Sequence, residues 1–128
     1  MINDYECYIV EIKYTYDPIA DALSIHVVDD AEYDKTISFN NNILLDFDKN
    51  DRPVALEILD ARKLLNVNIR SLKRIVSIDL QVEVNDKEII VKCNLQVPID
   101  GGNQLRSNDY TIDNYMNLPP MKIELVTA

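Results

Sequence analysis

A chain of 128 residues, 47% of them hydrophobic, is long enough to bury a real core and too apolar to be disordered along its whole length. Twenty-two acidic against 13 basic side chains leave a formal charge of −9, which works against nonspecific contact with nucleic acid or an anionic membrane and points to protein partners. Two glycines exclude a glycine-rich phosphate loop, and one histidine, His26, excludes a multi-histidine zinc site. No apolar run approaches the roughly 20 residues of a bilayer crossing. The opening MINDYECYIV is acidic where a secretory signal would be basic, so the cytoplasm is the expected compartment. Cys7 and Cys93 stand in no metal or redox spacing and read as free thiols. No cofactor is expected.

In chain order, period-two alternation dominates. Ile12, Tyr14 and Tyr16 alternate with polar residues, as do Leu23, Ile25 and Val27. Folding at DPIAD sets Tyr16 opposite Leu23 and Tyr14 opposite Ile25. Ile37 and Phe39 lead through an Asn40-Asn41-Asn42 turn to Ile43, Leu45 and Phe47, pairing Phe39 with Ile43 and Ile37 with Leu45. A tight Asn50-Asp51 turn then sets Phe47 opposite Val54, ahead of Leu56 and Ile58. Five strands form an antiparallel meander with one buried face.

Residues 61–75 supply its cover. At helical spacing Ala61, Leu64, Leu65, Ile69, Leu72 and Ile75 share one arc, with Asp60 as N-cap. Asn66, Val67 and Asn68 weaken the middle, and a single helix is expected. Residues 76–84 alternate without exception, and an Asn85-Asp86 loop would set Val82 against Ile89, Leu80 against Val91 and Ile78 against Cys93. Residues 98–109 contain both glycines and read as a loop. Residues 110–116 and 121–127 are weaker strands.

YDPIADALSI (residues 16–25), DFDKNDRP (46–53) and ALEILDA (55–61) resemble the domain of unknown function 2283 family, small bacterial and archaeal proteins, over about residues 12–65. The family has glycine where this chain has Asp51 and Ala55. The resemblance transfers no catalytic residue, and it implies a partner-binding role, with small toxin-like proteins as the partner class.

Four constellations carry possible chemistry. Asp17 and Asp21 are spaced either as paired carboxylates or as the corners of a turn begun by Asp17-Pro18. His26 falls on the face turned away from the core. Asp46, Asp48, Asn50 and Glu57 imitate a calcium loop, but Asp51 stands where such a loop needs glycine and strands flank it where helices belong, so no metal is expected. Arg62, Lys63, Arg70, Lys73 and Arg74 form a basic stripe with no acidic residue between Asp60 and Asp79, the candidate partner-binding surface.

The expected fold is therefore α+β and β-rich: a five-stranded antiparallel meander covered by one amphipathic helix, then a further β-hairpin and one or two strands. Residues 1–128 read as a single domain, with a family-like part at 11–75 and a hairpin extension at 76–128. The expected function is a non-enzymatic protein-interaction module, with a homodimer through sheet edges or the helix as one form of partner. The alternatives are a small-ligand-binding or hydrolytic enzyme using Asp17, Asp21 and His26, and nucleic-acid binding through the basic helix.

Overall fold

The computed structural model describes residues 7–128, with Cys7 described in its backbone only; the acidic opening of the chain and the Cys7 thiol lie outside the described parts. The elements are β1 (Cys7–Asp17), β2 (Ala22–Val27), β3 (Tyr33–Asn40), β4 (Ile43–Asp48), β5 (Pro53–Leu59), α1 (Ala61–Leu65), α2 (Ile69–Leu72), β6 (Ser77–Val84), β7 (Glu88–Ile99), β8 (Gly102–Asp113) and β9 (Met121–Thr127).

All nine strands join one mixed sheet in the order β3-β4-β5-β2-β1-β9-β6-β7-β8. Its two edge strands, β3 and β8, approach each other, so the sheet is curled most of the way to a barrel. Inward residues of eight strands, from Leu23, Ile25, Ile37 and Phe47 to Val82, Val91 and Leu95, form one continuous core, and Tyr110 and Ile112 of β8 pack against it half-buried. Alternation predicts this faithfully, because β6 reads inward and outward without a break.

The five-stranded meander under one helix is not what forms. After the first hairpin, which has Tyr16 opposite Leu23 and Tyr14 opposite Ile25 as expected, β2 pairs with β5 rather than β3, setting Leu23 against Ile58 and Ile25 against Leu56. Alternation states which face a residue takes and is silent on which strand lies beside it. The connection at residues 28–32 can span the difference. Three strand spacings come to roughly 14 Å, and five extended residues reach roughly 17 Å.

Registers shift at three turns. Ile37 faces Leu45, but a bulge between Ser38 and Asn40 takes Phe39 out of register and sets Asn40 opposite Ile43. Leu45 faces Leu56 while a second irregularity puts Phe47 opposite Pro53 instead of Val54. In the β6–β7 hairpin Val82 faces Val91 and Val84 faces Ile89. That slip of two residues keeps every side chain on its face. The turn is longer than expected because the Asn85 side chain accepts from the amides of Lys87 and Glu88, each at 2.9 Å.

Residues 98–109 are strand rather than loop. A two-residue Asp100-Gly101 turn, with φ of 49° and 79°, closes β7 onto β8 in the left-handed geometry of a tight hairpin. The polar letters of β8 that read as loop belong to an exposed edge strand. β9 then enters the middle of the sheet, parallel to β1 and antiparallel to β6.

The single helix is two short ones. Asn66 takes a left-handed φ of 54° and ends α1, and the Asn68 carboxamide restarts the chain by accepting from the Ser71 amide at 2.8 Å. Asn68 trades helix for a local side-chain hydrogen bond, and Asn66 uses the tolerance of asparagine for left-handed backbone. The apolar arc is nevertheless buried at Ala61, Leu65, Leu72 and Ile75, with Val67 between them. The helices follow β5 and precede β6, so they plug one end of the curled sheet instead of lying across its face. Ser71 Oγ pins α2 by donating to the Pro98 carbonyl at 2.6 Å.

At the other end, residues 114–118 close the half beneath β6–β8. Leu118 joins the core. Buried Asn114 donates through Nδ2 to the carbonyls of Asn85 and Leu118, each at 3.0 Å, and accepts from the Leu118 amide at 2.9 Å. Replacing Asn114 with alanine strands three backbone groups at once. A loss of about 2–4 kcal/mol is expected, read as a lower urea midpoint at unchanged slope; a loss under about 0.5 kcal/mol would mean that water takes over the bonds.

Candidate functional site

The Asp17–Asp21 corner is built as scaffold. Asp17 Oδ1 accepts from the amides of Ile19 and Ala20, at 2.9 and 3.2 Å, which folds the turn around Pro18. Asp21 takes a left-handed φ of 53° and points at α1. Its carboxylate accepts from the Arg62 amide at 3.2 and 3.3 Å, its carbonyl accepts from the Ala61 amide at 3.1 Å, and the Arg62 guanidinium lies 3.5 Å from Oδ2. Asp60 makes no side-chain cap and is itself left-handed, so the expected N-cap is replaced by an aspartate from a distant turn. Tyr16 Oη donates to Asp21 Oδ1 at 2.6 Å. Desolvation, followed by that hydrogen bond and the Asp21 charge, pushes the Tyr16 phenol up to about 12.

His26 does not join this corner. Asp17 faces Ala22 at one end of the β1–β2 ladder, whereas His26 faces Lys13 four pairs further along. It borders a shallow cleft of about 330 Å³ on the outer surface, with Lys13, Asp46 and Tyr33. The calcium-like residues are turn and strand formers: Asp48 Oδ1 accepts from the amides of Asn50 and Arg52 at 2.8 and 3.0 Å, Asp46 accepts from the Thr36 hydroxyl, and Asp51 holds Lys35 at 2.6 Å.

The five basic residues of the stripe separate into two kinds. Arg62 is committed to Asp21. Lys63, Arg70, Lys73 and Arg74 are exposed at the plugged end and make no ion pair among the described residues. Arg70 and Arg74 line a cleft of about 480 Å³ that faces the Asp100-Gly101 turn, Gly102 and Asn103. A Cβ added at either glycine would meet nothing within 4 Å, so the cleft wall is open on that side.

Two further acidic and thiol groups are structural. Asp79 and Glu124 are diagonal neighbours on the outer face of β6 and β9. Desolvation, then the hydrogen bond to Glu124 and its charge, raises the Asp79 carboxyl, and Asp79 Oδ1 has no partner among the described residues. Cys93 is buried in the core, where desolvation pushes its thiol up to about 12, a state inert toward nucleophilic chemistry.

Sequence reasoning missed the opposite mouth. A cleft of about 450 Å³ opens there, bounded by Val10, Val27, Val54, Met121 and the connection carrying Asp29 and Asp30. The available signal was that 28–32 lacks hairpin turn chemistry and so had to travel.

Residues 13–62 match the family described as a protein of unknown function, DUF2283. That segment holds the whole Tyr16–Asp21–Arg62 corner and the strands that present it, and it ends where α1 begins. No curated protein and no solved structure matches the chain.

Two consequences follow for stability. Asp21→Ala removes a cap and an ion pair and should cost about 1–2 kcal/mol, while Asp21→Asn, which keeps an acceptor for the Arg62 amide, should cost less than half of that; equal losses in urea melts would show the carboxylate charge to be the active part. Tyr16 is protonated in the folded state up to about 12 against an ordinary 10.0, so its contribution is complete below pH 10 and is lost as pH rises through 12. Tyr16→Phe should therefore take one tyrosine out of the late part of the tyrosinate absorbance titration, which Tyr110, raised by burial, also shares, and flatten stability between those pH values.

Proposed function

We propose that this protein is a non-enzymatic interaction module that docks an acidic protein surface through the basic end of its curled sheet. The observation that carries the reading is the group of four cations, Lys63, Arg70, Lys73 and Arg74, left without ion pairs among the described residues at one end of a chain whose net charge is −9. Asp21 on Arg62 and Asp51 on Lys35 are part-buried acidic groups already engaged within the fold. The unpaired group sits on rigid structure, since α2 is tied to β7 through Ser71 and to its own start through Asn68. A fixed array of like charges keeps its field directed outward, which steers an oppositely charged partner.

The arginine cleft gives the array a shape. Two guanidiniums beside a glycine-lined turn suit carboxylates, which arginine grips with two parallel hydrogen bonds. Nucleic acid is the poorer fit, because the remaining surface repels a polyanion longer than the patch. Small toxin-like proteins, the partner class implied by the resemblance over about residues 12–65, are one candidate, and a second copy of the chain is the other.

Tagged protein used to capture partners from its native host, beside a version carrying Arg70→Gln, Lys73→Gln and Arg74→Gln, tests the proposal. A partner that is retained by the first and lost by the second, and whose binding weakens as salt rises, is the expected result. A partner held equally by both would move the interface elsewhere on the molecule. Binding of a mixed-sequence oligonucleotide with a steep salt slope would favour the nucleic-acid alternative.

A further inference from the structure

The two ends of the curled sheet are chemically different, and among the described residues the end away from the helices is closed over only part of its width. Residues 114–118 fill the half beneath β6–β8, with Leu118 in the core and Asn114 fastening the segment. Beneath β1, β2, β4, β5 and β9 no comparable segment lies among the described residues, and the cleft of about 450 Å³ opens there. That volume lies in the range of sites for small organic ligands, and the mouth of a curled or closed sheet is a common place for one.

The walls are apolar. Val10, Val27, Pro53, Val54, Met121 and Ile123 line the cleft, all but Pro53 and Ile123 being only partly buried, so among the described residues they present apolar surface to the opening. The rim is acidic. Four aspartates border the opening against one cation, Arg52. Two of them are already used: Asp48 folds its own turn by accepting from the Asn50 and Arg52 amides, and Asp51 is paired with Lys35. Asp29 and Asp30 are exposed and have no hydrogen bond or ion pair among the described residues. They belong to the connection that crosses from β2 to β3 over the start of β5, and this places both carboxylates at the lip of an apolar hollow.

We infer that this mouth is a binding site for a small apolar cation, an aromatic or alkyl amine whose hydrocarbon body enters between Val10, Val27 and Val54 while its ammonium group stays at the lip beside Asp29 and Asp30. Burying the body removes the exposed wall from water. The charge sets the sign of the ligand, since an anion of the same shape meets like charge at the opening. The site is independent of the basic end, which lies beyond the opposite termini of the same strands.

Three indole compounds that differ in charge serve as probes: tryptamine, indole itself and indole-3-acetate, each titrated into the full chain while amide chemical shifts are followed. Tryptamine should bind in the millimolar range or tighter and at least about tenfold more tightly than indole-3-acetate, with the largest shifts at Val10, Val27 and Val54. The double variant Asp29→Asn/Asp30→Asn changes only an exposed loop and should bring the two affinities within about threefold of each other, leaving indole unaffected. Equal binding of tryptamine and indole-3-acetate by the native chain overturns the inference. So does the absence of tryptamine binding at millimolar concentration, or shifts centred away from the mouth.

Discussion

The pairing of β9 between β1 and β6 holds this molecule together. Without it the chain divides into two arrays, β3-β4-β5-β2-β1 and β6-β7-β8, each with an open edge in the middle of what is now one sheet. β9 fills both edges, parallel on one side and antiparallel on the other, so Leu125 faces Val10 and Leu80 at once and Ile123 faces Tyr8 and Val82. Open edges invite pairing with other chains, and a strand buried between two partners removes that hazard. The cost is topological. The last strand of the chain must find the first, which is the slow, nonlocal kind of contact.

Curling follows from the same closure. Nine strands with native twist bring β3 and β8 toward each other, and a curled sheet has two ends that must each be dealt with. The helices fill one, and the tight Tyr16–Asp21–Arg62 corner anchors them to the first hairpin. At the other, among the described residues, loops do the closing, and residues 114–118 cover the half beneath β6–β8. The proposed functions lie at these ends because the wall of the sheet is occupied by alternation: inward residues make the core and outward residues meet solvent.

Individual residues show how far the sequence could be read. The Tyr16–Leu23 and Tyr14–Ile25 pairs were legible because a short turn leaves one register that keeps both apolar sets on a face. The Ile37–Leu45 and Leu45–Leu56 pairs were legible for the same reason. Phe39 and Phe47 were misplaced because bulges beside turns add a residue without any marker in the apolar pattern. Asn66 and Asn68 did carry the signal for a broken helix, and the apolar arc across them outweighed it wrongly, since an arc of the right period can be buried equally well by two short helices. In the candidate sites, the basic residues were visible as letters. That Arg62 is spent on Asp21, 41 residues away, was not, because capping across the fold leaves no local spacing.

The amino-acid order by itself determined which residues are inward, where the chain must turn, that a basic stripe exists and that phosphate loops and histidine metal clusters are absent. These depend on local geometry: a period of two, the backbone freedom of asparagine and glycine, and counts of side chains. Only the tertiary structure decided which strand neighbours which, that the connection at residues 28–32 passes β5 and β4 to reach β3, that β9 joins the two halves, and that one end is plugged and basic while the other carries, among the described residues, an apolar cleft with an acidic lip. Strand partners are chosen by burial shared across the whole sheet and by how far each connection can reach, and neither quantity is a property of any one stretch of the chain.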